Sequence, residues 1–341
     1  MESTNFNISP NNWFVGARSK ELKHGAILRR LILGKPYALF RDVRGDVQGL
    51  EDSCPHKNLP LSMGKVVGSE VQCRYHGWRF NAEGACTDVP CHAPNEKLPV
   101  CKIPSFHVVE QDGFIWVHPT EPRGSSARPP SYPRDPKFGR LEFLNITNAP
   151  VDLFIENGID CVHTSTVHKG LFDFPRQLVR AMVRRTSTGV RIDTLNEQTD
   201  GSTKKFHSPL GKKKITSYDE VILPHTVRQT FSSDDGLQLI TVHLCTPEDG
   251  DVIRVYSHMS VYYGRLTTFA TWYVKHLAEK VIAEDKEILE GQAENIRRFG
   301  QRNFRTVTAD LPMNWAQRAI RQFNEGKFES QGESREITYR L

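Results

Sequence analysis

The chain has 341 residues and a net charge of +5, enough length for one large domain or two modest ones with a proper core. A mean hydropathy of −0.49 argues against both gross disorder and an integral membrane protein. Seven cysteines, an odd and scattered set, exclude a disulfide scaffold, and the modest charge without a long Lys/Arg run argues against nucleic acid. From about 13 to 117 the sequence is a series of short β-type runs broken by Gly, Pro, Asn and Asp, among them 37–41, 66–73, 78–80 and 113–117. Such spacing predicts an all-β sandwich or barrel. Six prolines follow over 119–136, a composition that spans between domains and suits neither helix nor sheet.

Beyond the linker the texture changes. Residues 150–161 read as a helix with Asn148 as N-cap and Pro150 in the first turn. Strand-like runs occupy 179–262, notably 237–244 and 252–263, with a polar, basic loop expected at 204–214. A Pro-free stretch rich in Ala, Glu, Lys and Leu predicts a long helix over 266–298. The expected architecture is therefore α+β: an all-β domain over 1–118, a linker over 119–136 and an α+β domain over 137–341. No window holds eighteen consecutive apolar residues, and the first twenty residues lack the apolar core of a signal peptide, so the expected location is the cytoplasm.

Two constellations carry chemistry. Cys54-Pro55-His56 is followed after sixteen residues by Cys73-Arg74-Tyr75-His76, each pair beside turn-forming residues. Two neighbouring loops would thus close on one metal centre. A structural zinc site usually groups Cys with Cys and His with His. The mixed order here favours a Rieske [2Fe–2S] cluster, which needs two Cys on one iron and two His on the other. Cys86, Cys91 and Cys101 stand outside the pattern.

The second constellation is Asn157, Asp160, His163 and His168. On a helical wheel Val151, Phe154, Ile155, Ile159 and Val162 form one face, and Asn157, Asp160, His163 and Thr164 the other. That polar face carries no Lys or Arg, which favours a metal over plain solvent. His163 and His168 would lie about 140° apart on a straight helix, so a break at Thr164-Ser165-Thr166 is expected. Two His and one carboxylate form the ligand set of non-heme Fe(II) oxygenases. Among the acidic residues of the long helix, Asp285 has Val281, Ile282, Ile288 and Leu289 one turn away, placing an otherwise costly carboxylate on a buried stripe.

Three stretches, Cys54 through Gly64, Cys73 through Phe80 and Gly84 through Pro90, resemble the cluster domain of Rieske non-heme iron oxygenases. Asn157/Asp160/His163/His168, and the 284–292 segment, resemble the catalytic motifs of the same family. The resemblance implies a terminal oxygenase with a helix-grip (START-like) catalytic domain. It implies a [2Fe–2S] cluster on Cys54, His56, Cys73 and His76, and mononuclear Fe(II) on His163, His168 and Asp285, with O₂ as co-substrate. By the same resemblance Asp160 is a bridging carboxylate between His163 and His76 of a neighbouring subunit, Asn157 belongs to the catalytic motif, and the chain forms an α-only homotrimer.

No dinucleotide fingerprint and no plant-type ferredoxin cysteine run occurs, so electrons are expected from a separate ferredoxin or NAD(P)H reductase. Lys65 and Arg74 are the favoured docking cations, ahead of Arg184-Arg185, Lys204-Lys205, Lys212–214 and Arg297-Arg298. Hydroxylation or oxidative demethylation of an apolar or aromatic small molecule is the expected reaction, with Phe154, 172–174 and strands within 179–262 lining the pocket. Ring cis-dihydroxylation, a Rieske electron-transfer or redox-sensing protein with a non-catalytic binding domain, and a zinc-stabilised module are the rivals.

Overall fold

Ten short strands build the N-terminal part of a computed structural model that describes residues 8–93, 95–122, 128–132, 135–169, 171–173, 178–195, 205–208, 211–300, 304–329 and 332–340. They are β1 Phe14–Arg18, β2 Ile27–Ile32, β3 Lys35–Arg41, β4 Val47–Glu51, β5 Lys65–Val67, β6 Glu70–Gln72, β7 Arg79–Phe80, β8 Cys86–Asp88, β9 Ser105–Gln111 and β10 Phe114–His118. Six form an antiparallel sheet in the order β1-β10-β9-β4-β3-β2, and β5 to β8 form a small four-stranded meander. The stretch read as one run over 66–73 is a hairpin, because Gly68 turns the chain at φ 65° between β5 and β6.

Phe40, Leu50, Leu61, Val71, Phe80 and Ile103 pack into one core that also holds Cys54 and Cys73. Burying those apolar side chains stabilises the unit by roughly 1.5–3 kcal/mol each. Ser9–Arg134 with Thr246–Asp249 make one unit; Asp135–Cys245 and Gly250–Leu341 belong to the other. Part of the Pro-rich segment is tied to the first unit rather than spanning freely: Tyr132 N–H and Ser131 Oγ donate to Asp112 at 2.7 and 3.0 Å.

The second unit comprises β11 Gly139–Thr147, α1 Val151–Ile159, α2 His163–Val167, β12 Phe172–Asp173, β13 Leu178–Thr186, β14 Gly189–Leu195, β15 Lys205–Ser208, β16 Gly211–Ile222, β17 Thr226–Ser233, β18 Gln238–Pro247, β19 Ile253–Tyr262, α3 Thr267–Phe299, α4 Leu311–Asn324 and β20 Ser334–Arg340. Its sheet runs β11-β19-β18-β17-β16-β14-β13-β20. The long helix α3 lies against β11 and β19, α1 against β16 and β17, and α4 against β13 and β14. Ala270, Val274 and Ala278 of α3 meet Met259, Val261 and Tyr263 of the β19 region, and Leu289, Ala293 and Ile296 meet Ala149 and Leu153. This is the α+β architecture expected.

Three local expectations need correction. The basic stretch 204–214 is no loop over its described part: β15 pairs with β16 from Lys205↔Lys214 to Ser208↔Gly211. Charge disguised it, because strand formation rests on pairing more than on composition. Asn148 does not cap α1. Pro150 is the N-cap, without a side-chain cap, and Asn148 gives its backbone and side-chain N–H groups to Glu290 at 2.9 and 3.1 Å. The stripe on α3 is also uneven. Leu289 is 2% exposed but Ile288 is 49% exposed, so Asp285 stands at its edge.

Candidate metal centres

The two Cys-His loops share one backbone scaffold. Cys54 N–H donates to Leu59 O and Asn58 N–H to Cys54 O, at 2.9 and 2.7 Å. In the second loop Cys73 N–H donates to Trp78 O and Gly77 N–H to Cys73 O, at 2.8 and 3.1 Å. Both are six-residue turns closed by a residue of positive φ, Asn58 at 56° and Gly77 at 77°. Within them His stands two residues after one Cys and three after the other. Gly64 serves a different need: a Cβ there would meet Gln72 O at 2.1 Å, so only glycine lets the first loop run against β6.

Both cysteines are buried, whereas His56 is half-buried and His76 exposed. The imidazole centroids are 4.4 Å apart, and His56 stacks on Trp78 at 4.6 Å. Burial pushes the Cys54 thiol up to about 11, opposed by the His56 and Lys57 N–H groups aimed at its sulfur and reinforced by the Cys73 thiol. Desolvation, His76 and Lys57 lower the His56 pKa. His56 Nδ1 is buried without a hydrogen-bond partner. An orphaned imidazole nitrogen, two adjacent buried thiols and amides directed at sulfur suit a cluster that accepts N–H···S bonds. Asp52 steadies the first loop, accepting from Ser62 N and Oγ at 2.7 Å each and pairing with Arg29 at 3.3 Å.

In the second unit, α1 ends at Asp160, earlier than expected. Asp160 Oδ1 accepts Val162 N–H at 2.7 Å, an Asx turn that breaks the helix. Thr164 and Ser165 do not break it. Their hydroxyls bond back to Cys161 O and Val162 O at 2.8 and 3.0 Å within α2. His163 opens α2 and His168 closes it, so both imidazoles turn toward α3.

His163, His168 and Asp285 place one ligand atom each within 4.8 Å of one another, and no other such group of His, Cys, Asp and Glu occurs among the described residues. Asp285 Oδ1 lies 3.5 Å from His163 Nε2 and 3.2 Å from His168 Nε2. Asn157 Nδ2 donates to the same oxygen at 3.2 Å. Each Nδ1 faces a second carboxylate, His168 to Glu284 at 2.8 Å and His163 to Asp160 at 3.5 Å. Burial alone would lower the His168 pKa, but Asp285 and Glu284 outweigh it and hold it above the ordinary value. Two nitrogens and one carboxylate oxygen, steadied from behind, match the donor set for Fe(II).

The triad lines a cavity of about 140 Å³ whose exposed wall is largely apolar, with Phe, Leu, Val, Ile and Met making up about half of the lining residues. Phe154 contributes as expected, with residues of β17, β18 and β19; β11 and α3 add walls that sequence reasoning did not foresee. The expectation for 172–174 lies outside the described residues, since the side chains of 172 and 173 and the whole of 174 are not described.

A family model for the Rieske [2Fe-2S] domain matches residues 12–107, and one for the vanillate O-demethylase oxygenase C-terminal domain matches 147–329, more than half of the chain. The chain belongs to the Rieske non-heme iron oxygenases. Membership brings a [2Fe–2S] cluster and a mononuclear iron. The chain is 27% identical over 310 residues to a 4beta-methylsterol monooxygenase of Methylococcus capsulatus, covering 85% of this chain and 82% of that protein. It is 34% identical over 167 residues to a chloroplastic chlorophyllide a oxygenase of Chlamydomonas reinhardtii, covering 48% of this chain but 25% of that protein. The fold matches that of dicamba monooxygenase bound to dicamba with a TM-score of 0.75 at 22% identity, covering 93% of this chain and 98% of the other.

Sequence reasoning placed Glu284 in the 284–292 segment but gave it no role, because its partner His168 lies 116 positions away. The four predicted arginines are engaged, Arg184 with Asp193, Arg185 with Gln322, Arg297 with Asp251 and Arg298 with Glu294, while the side chains of Lys204-Lys205 and Lys212–214 lie outside the described residues. Lys65 and Arg74 are exposed and have no carboxylate partner among the described residues. No helix among the described residues is long and apolar enough to cross a membrane.

Proposed function

We propose that this chain is the terminal oxygenase component of a Rieske system, hydroxylating or oxidatively demethylating an apolar or aromatic small molecule with O₂ and electrons from a separate ferredoxin or NAD(P)H reductase. The observation that carries the reading is the opening of an apolar cavity directly onto His163, His168 and Asp285. Cys54, His56, Cys73 and His76 would hold the cluster, and the triad the Fe(II). When bound, these groups supply one-electron transfer and dioxygen activation.

The residues do the rest. Glu284 accepts the Nδ1 proton of His168, and Asp160 stands ready to take that of His163, so both rings turn their Nε2 lone pairs toward the metal position. Asn157 orients Asp285 through its Oδ1. The apolar walls exclude water and hold the substrate beside the site.

Asp160 retains 20% side-chain exposure and His76 is exposed, which supports Asp160 meeting His76 of a partner subunit in a homotrimer. Seven free cysteines fit a reducing, cytoplasmic setting. The test is metal analysis with EPR, then ¹⁸O₂-traced turnover with a surrogate reductase over aromatic, N-methyl, O-methyl and sterol-like compounds. We expect about three irons per chain and one labelled oxygen atom in product. One zinc per chain without a visible chromophore would sink the reading.

A further inference from the structure

The cavity contains a chain of hydrogen bonds that the proposed reaction does not use. Gln229 donates its Nε2–H to Gly158 O at 3.0 Å, which leaves its Oε1 facing His243 Nε2 at 3.3 Å. An amide oxygen only accepts, so His243 Nε2 carries a proton. Burial depresses the His243 pKa to about 4, so the ring is neutral and Nδ1 offers a lone pair alone. Ser257 Oγ, 2.8 Å from that nitrogen, must give it the hydroxyl proton. The donor of Ser257 is then consumed, and its oxygen has only lone pairs left for whatever enters the cavity it lines.

We infer that Ser257, locked as an acceptor by Gln229 and His243, selects substrates that carry a neutral O–H or N–H on an apolar body, over isosteres that present only an oxygen acceptor and over carboxylates. The inference rests on the reading of this cavity as the substrate chamber. Ser257 is 5% exposed, so an unmatched lone pair set against it loses water without recovering a hydrogen bond. Among the described residues that line the cavity, one Lys or Arg side chain could receive a carboxylate. That side chain, Lys286, is paired with Glu290 at 3.8 Å.

Calorimetric titration of the anaerobic, iron-loaded enzyme tests this with indole, benzofuran and benzoate. Indole and benzofuran differ in an N–H replaced by a ring oxygen. We expect indole to bind at least about tenfold more tightly than benzofuran and benzoate. Ser257→Ala should weaken indole alone and erase the difference, while Ser257→Thr, which keeps the hydroxyl, restores it. Gln229→Leu leaves the hydroxyl in place but unlocks the ring, and should also collapse the preference in protein of unchanged circular dichroism. Equal binding of indole and benzofuran, tighter benzoate, or a preference that survives Ser257→Ala overturns the inference and leaves the oxygenase reading standing. Failure of all three probes to bind overturns the substrate-chamber reading as well.

Discussion

At Asp285 a single oxygen faces two imidazoles and a carboxamide, and the difference between it and its neighbour Glu284 is one of distance to the metal position. Asp285→Ala removes a proposed direct ligand, so the mononuclear iron should be lost while the cluster spectrum persists, as metal analysis and EPR will register. Glu284→Ala removes only the support behind His168 and should weaken iron binding by about 10–100-fold without abolishing it. Equal loss in both variants would contradict the ranking. His243 gives a separate pH signature. Its pKa falls from 6.5 to about 4 on folding, so the folded chain binds fewer protons than the unfolded chain between those values. Its contribution is intact above pH 6.5 and lost as pH falls toward 4, an effect of at most ~3 kcal/mol. The urea midpoint of the wild type should fall over that range more steeply than that of His243→Gln. The candidate Cys and His ligands were legible because those residue types at close spacing are chemically specific. Glu284 and His243 were not, since their partners become neighbours only through packing.

Elements show the same division. The long helix α3 was legible to within a residue at each end, because thirty-three residues without Pro and with a glycine just beyond leave few alternatives. That Gly300 adopts φ 64° in open space, whereas Gly84 at φ 81° would bring a Cβ within 1.9 Å of Ile103 O. Gly300→Ala therefore costs only the left-handed penalty, about 1 kcal/mol. Gly84→Ala adds a backbone collision and should cost more than about 3 kcal/mol, with the cluster domain unfolding first in urea. Similar losses would contradict the role given to Ile103. The break between α1 and α2 was expected at the Thr-Ser-Thr run, on propensity. Asp160 makes it instead, because a side-chain oxygen that captures an amide competes locally with the helix. β20 and α4 carried no recognisable motif. Their apolar faces are ordinary, and only the register of β20 against β13 and the seat of α4 beside β14 reveal their place.

For the whole molecule, the proposed trimer makes a prediction that neither unit makes alone. Asp160→Ala should retain both metals and stop reductase-coupled turnover, and a variant lacking His76 should fail for want of an intact cluster. Dissociated and reassembled mixtures of the two should regain partial activity, because a cluster from one subunit then meets an intact Asp160 from another. Mixtures that remain inactive while assembling normally would show that the two residues do not act across subunits. What the sequence determined by itself was the class of chemistry: the candidate ligand types, their grouping in two constellations and the order of an all-β part before an α+β part. These follow from spacing within short turns and from periodicity, which are local properties. Only the tertiary structure decided which carboxylate stands behind His168, which apolar walls meet the triad and how Ser257 is committed as an acceptor. The physical reason is separation along the chain: His168 meets Glu284 across 116 positions and Asn157 meets Asp285 across 128. Such pairs form when α3 packs against α1 and the sheet, and no local pattern encodes that meeting.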